Sequence, residues 1–199
     1  MADDKDARDK QAHDAERRQR EREMAAAVER GDEPEPPVDE AELGDLEADL
    51  ESLAFPATGS DVVAAVGDRE IDAVVETYTV EELVPDAEAE TFESPADVRV
   101  RVQRPTVAAA MKRIAEAAEG LPDADPYGSQ RDAYEKTLRE LKAIDADDDD
   151  EGIRVICDWI VERVREKEAL PGSRDVRRRA AKFCRANGYQ VRNDEWLGI

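Results

Sequence analysis

Residues 152–188 are written as two amphipathic helices with a turn between them, which limits the second half of the chain to a helical hairpin. Ile153, Ile156, Cys157, Ile160 and Val164 recur at helical spacing along 152–170. Leu170, Pro171, Gly172 and Ser173 then interrupt the pattern as a tight turn. In the second helix, 173–188, Ser173 stands as an N-cap, its side-chain oxygen placed for free backbone N–H groups, and Asn187 and Gly188 stand as the stop. Val176, Ala180, Phe183 and Cys184 form its apolar stripe. With so short a connection the two stripes are predicted to face each other, and Phe183, the largest group on its side, is predicted to be buried.

The other side of that second helix is basic. Arg174, Arg178, Lys182 and Arg185 project opposite the stripe, with Arg177 and Arg179 on its flanks. From 172 to 192 there are seven basic residues against one acid, Asp175, in a chain of formal net charge −22. A local reversal of this size marks a binding surface for a polyanion, or a face matched to the protein's own carboxylates. The run Asp147–Asp150 is a nearby internal partner for it.

The acid excess is spread along all 199 residues, Arg is used far more than Lys, and aromatics make up only 5%. Any core therefore rests on Val, Ile, Leu and Ala, and the surface suits a medium where salt screens self-repulsion. We read this as adaptation to molar intracellular salt, in preference to an acidic partner for basic proteins. No apolar run approaches the length of a membrane span, and the opening residues do not form a signal peptide, so a cytoplasmic location is expected. Cys157 and Cys184 sit on predicted apolar stripes in separate helices, without metal-type spacing, and read as buried thiols.

In chain order, 1–38 is a charged arm and linker. It mixes both signs, holds the single histidine, His13, and ends in a proline-rich acidic stretch. A small helical domain is expected over 39–120. It opens with Leu43, Leu46, Leu50 and Leu53 at helical intervals, followed by a short helix after Thr58 or Ser60 that stops at Gly67. A short strand is expected near 74–78, then a capping box at Thr79 and Glu82. "ESPADVRVRVQRP" sets a helical start (Ser94 cap, Pro95 first, Asp97 closing the box) against the alternation of a strand, and we take it as helix. Val107, Ala110, Met111, Ile114 and Ala118 then mark a helix to Gly120. A hinge follows at 121–130 and a C-terminal helical domain at 131–199, whose last residues are expected to form a short strand. The fold class is thus mainly α: a small helical N-terminal unit, then a C-terminal hairpin with a basic second helix, short strands being minor features.

The stretches "FPATGSDVVAAVGDREI", "YTVEELVPDAEAETFESPADVRVRVQRPTVAAAMK" and "LPGSRDVRRRAAKFCRANGYQVRNDEWLGI" resemble an uncharacterised haloarchaeal protein family. The "FPAT…TVEEL…SPADV" skeleton also resembles a small helical prokaryotic domain of unknown function. The resemblance implies helix over 94–103 and supplies no site residues.

The acidic run 145–151 offers the richest metal-ligand pattern: Asp147, Asp149, Glu151, Gly152 and Asp158 match positions of a calcium-binding loop. Arg154 occupies its apolar position and a helix begins inside the window, so a solvated linker is the better reading. There is no phosphate-binding glycine loop, no serine in a nucleophile context and no histidine to pair with a cysteine. No catalytic residue, metal, cofactor or small-molecule substrate is implied. The chain reads as a non-enzymatic binding protein. Arg174, Arg177, Arg178, Arg179, Lys182 and Arg185 are expected to meet nucleic acid or a ribonucleoprotein, or alternatively an acidic protein partner in an adaptor role.

Overall fold

The caps written in the sequence start the helices. In the computed structural model, which describes residues 38–73, 76–88, 90–121, 125–144 and 150–189, helix α1 (Glu40–Leu50) is capped by Asp39, whose carboxylate accepts the Ala41 N–H at 2.8 Å. Leu43, Leu46 and Leu50 are buried along one side of it. Strand β1 (Ala57–Thr58) leads into α2 (Gly59–Val66) through a reciprocal box: Asp61 N–H donates to Thr58 Oγ1 at 3.1 Å, and Asp61 Oδ2 accepts Thr58 N–H at 3.0 Å. The Thr58 N–H first, and then the Thr58 hydroxyl donating to the same Oδ2 at 2.8 Å, hold the Asp61 carboxyl below its ordinary range. Gly59 is required by close approach, because a Cβ there would lie 2.0 Å from the Pro85 carbonyl oxygen.

Strand β2 (Glu70–Asp72) pairs antiparallel with β3 (Thr77–Thr79), Ile71 opposite Tyr78. The strand expected near 74–78 is thus found from 77, residues 74–75 lying outside the described ones. Glu82 then accepts the Thr79 N–H at 2.8 Å and starts the single turn α3 (Val80–Leu83). Strand β4 (Thr91–Phe92) returns antiparallel to β1.

The disputed segment is helical, α4 (Pro95–Val102). Val98 and Val102, four apart, are buried while Val100 is 53% exposed, so one face of a helix decides over the alternation. The box is shifted from its expected form: Asp97 accepts the Ser94 hydroxyl at 3.2 Å and the N–H of Glu93 at 3.0 Å.

Four longer helices complete the described chain: α5 (Pro105–Glu119), α6 (Asp125–Lys142), α7 (Glu151–Lys167) and α8 (Ser173–Asn187). Helix α5 packs on α6 and α7, and α8 packs on α6 and α7. The fold is mainly α, as expected, with two small two-stranded sheets. The described residues belong to one compact unit with two apolar clusters. Helix α5, assigned by its sequence to the N-terminal part, serves both: Ala108 lies in the first cluster, and Met111, Ile114 and Ala118 in the second. Helix α6 begins at Asp125, so 125–130 of the expected hinge are helical. The expectations for residues 1–37, the acidic residues within 145–149 and the terminal strand fall outside the described residues.

The two halves meet around buried charge. Arg101 Nη2 lies 2.8 Å from Glu90 Oε1, and their side chains are 6% and 0% exposed. Arg131 on α6 reaches the same oxygen at 3.3 Å, and Arg101 also reaches Glu135 at 3.3 Å. Two positive and two negative groups thus share one site, which offsets part of the cost of removing them from water. Glu90 also accepts the Gly59 N–H at 2.8 Å through its backbone carbonyl.

Candidate nucleic-acid interface

Helix α6 places the basic helix. Gln130 and Tyr134 stand four residues apart on it, and both hold the connection between α7 and α8. Gln130 Oε1 accepts the Ser173 N–H at 2.9 Å, and the buried Tyr134 hydroxyl donates to the Pro171 carbonyl. Burial raises the Tyr134 pKa well above its ordinary value. The cap is Gly172, one residue before the expected Ser173, because a distant glutamine side chain engages the Ser173 amide. Val176, Ala180, Ala181 and Cys184 form the buried face of α8, and the predicted opposing residues Ile153, Ile156 and Ile160 lie in the same cluster. Phe183 departs from expectation: it is only half-buried, and Ala181 occupies the interior position. A small side chain there lets α8 sit close on its neighbours.

Gly188 ends the helix at φ 73°, a conformation glycine takes without a Cβ penalty. Its N–H donates to the Arg185 carbonyl at 3.4 Å and the Tyr189 N–H to that of Cys184 at 2.9 Å. The chain folds back, bringing the Tyr189 ring to 5.8 Å from that of Phe183. Such a hydrophobic contact commonly accompanies this kind of stop.

The six predicted residues are all on α8 and present one charged surface. Arg174, Arg178, Lys182 and Arg185 are exposed, and Arg177 and Arg179 are half-buried at its margins. Arg178 comes within 3.7 Å of Asp175, both side chains more than 60% exposed, which is a weak solvent-screened pair. Arg185 Nε donates to the Ala181 carbonyl at 3.3 Å. Among the described residues no carboxylate other than Asp175 pairs with this face. Asp150, the described member of the proposed internal partner, is bound instead by Lys142 Nζ at 2.8 Å.

The calcium-loop pattern has a different geometry. Helix α7 begins at Glu151, so Glu151 and Asp158 are helical, and Asp158 accepts from Arg113 at 2.6 Å. Among the described residues no three His, Cys, Asp or Glu side chains are grouped to hold a metal ion. Cys157 and Cys184 are buried thiols outside any disulfide, as expected, and the Cys157 thiol donates to the Ala110 carbonyl at 3.4 Å. Burial pushes its pKa up to about 11, with a smaller opposing effect from Arg113. An open hollow between α1 and α2 is lined by Asp49, Val66, Gly67, Arg69 and Glu81, and there Arg69 is already engaged by Asp49 and Glu42.

Sequence reasoning missed the Glu90–Arg101–Arg131–Glu135 cluster, which no local pattern separates from the many other charged residues. It also missed Gln130 and Tyr134 as the groups that seat α8. Among the described residues no helix is long and apolar enough to cross a membrane.

Residues 40–114 match the model of a family of unknown function, DUF5789. The matched stretch contains α1 to α4 and most of α5, and stops before the basic helix. The implied likeness to a domain of unknown function therefore holds for this part of the chain. Comparison with curated proteins and with solved structures finds no match.

Proposed function

We propose that this is a non-enzymatic nucleic-acid-binding protein of a salt-rich cytoplasm, and that α8 is its contact surface. The single observation that carries the reading is the gathering of cations on α8, four of them exposed. Six basic side chains lie on one helix of a chain with net charge −22, and among the described residues Asp175 is their one carboxylate partner. Arginine forks on a rigid helix suit phosphate oxygens, which they bind in bidentate fashion. The acid-rich, lysine-poor composition supports the salt-rich setting, where counterion release contributes less and geometry contributes more.

The test is affinity purification in multimolar potassium chloride with and without nuclease, using the natural chain and the R178E/K182E/R185E variant. Recovery of nucleic acid by the natural chain, lost in the variant at an unchanged melting temperature, is the expected result. Nuclease-resistant recovery of an acidic protein would replace this reading with an adaptor role for the same face.

A further inference from the structure

We infer that the ligand is a single strand whose bases stack on Phe183 and Tyr189; this rests on the reading of α8 as a polyanion-binding surface. The helix stop brings both rings together at the end of the basic row, 5.8 Å apart and tilted by 50°. Both remain half-buried rather than enclosed. Phe183 lies one turn beyond Arg179, so those two side chains are neighbours on the helix surface, and Lys182 is adjacent on the exposed side. Arg179 Nε is itself buried and makes no hydrogen bond among the described residues. The exposed cations can thus hold phosphates, while the ring pair, packed in part on the interior, lies at the margin of the basic face beside Arg179 and offers a platform for a base.

Charge alone argues for such a platform. A chain at −22 repels a polyanion beyond the screening distance, and the salt that removes this repulsion also weakens each arginine–phosphate contact. Stacking on an aromatic face survives that screening and accepts any base. A duplex keeps its base faces inside its own stack, whereas a single strand presents them, so the combination of cations and partly exposed rings selects the single strand.

The test uses fluorescence anisotropy with the full chain and three labelled probes: a short oligothymidylate, an abasic strand with the same phosphates, and a duplex of equal length. The variant F183L/Y189L keeps apolar bulk at both positions while removing both π-faces. The natural chain is expected to prefer oligothymidylate over the abasic strand by about fivefold or more, from one stacked base. The variant should bind the two strands alike while holding its abasic affinity. Equal binding of the abasic strand or the duplex by the natural chain overturns the inference and leaves the polyanion reading standing. A preference retained in the variant does the same. Failure to bind any probe removes both.

Discussion

Glu90 should be among the least replaceable side chains in the described fold. Glu90→Ala removes the one carboxylate oxygen shared by Arg101 and Arg131, at 2.8 and 3.3 Å. Arg101, 6% exposed, is then left with Glu135 alone at 3.3 Å, and Glu135 is about a quarter exposed. Breaking a buried pair from one side costs about 3–5 kcal/mol. Arg131 is one-third exposed and turns to water, so about 3 kcal/mol is expected here. Against a total stability of about 5–15 kcal/mol this is a large fraction. In a unit of this size it lowers the melting temperature by about 6–12 °C. Urea titration in potassium chloride, with Glu90→Ala, Arg101→Met and the double variant Glu90→Leu/Arg101→Met, measures it. The double variant should cost less than Glu90→Ala, since it leaves no unpaired ion at the centre. A loss below about 1 kcal/mol for Glu90→Ala, or a double variant that costs the sum of the two singles, would show that these charges are not desolvated as a group.

Other expectations are more local. Phe183→Ala should cost about 1–2 kcal/mol, less than a fully enclosed phenylalanine, and Arg185→Ala about 0.5 kcal/mol or less; equal losses in urea titration would place the arginine in an internal network. Gly188→Ala should cost about 1 kcal/mol, read as a lower thermal midpoint, since φ 73° disfavours a Cβ; no change would mean the stop tolerates an alternative geometry. Cys157 has a folded pKa raised to about 11, so the unfolded thiol ionises first and stability falls as pH rises from about 9 to 11. Cys157→Ala should flatten that fall in pH-dependent melting curves, and an unaltered slope would assign it elsewhere. Raising potassium chloride should raise the melting temperature by screening the acid excess; a flat response would remove the link between composition and salt.

Most helices were legible because their signals are local. Thr58 with Asp61, Thr79 with Glu82, and Gly188 act within a few residues of themselves. The second half showed the same clarity in its stripes, with Ile153, Ile156 and Ile160 buried as their spacing required. What escaped was set by partners distant in sequence. Nothing near Ser173 announces that Gln130 takes its amide, so the cap moved to Gly172. Spacing allowed either Ala181 or Phe183 inside, and the close seating of α8 chose the smaller. Glu90 is one acid among many until Arg101 and Arg131 are seen around it. The basic face was legible as composition, but whether carboxylates neutralise it is a property of tertiary structure.

That availability is the central claim, and the salt dependence of binding tests it most directly. Four exposed cations, Arg174, Arg178, Lys182 and Arg185, meeting phosphates of a single strand predict that log K falls against log salt with a slope of about −2.8. In R178A/K182A/R185A the slope should shrink to about −0.7 while the melting temperature stays the same. A slope unchanged by the triple substitution, or one lost together with the fold, would contradict a free basic surface on α8.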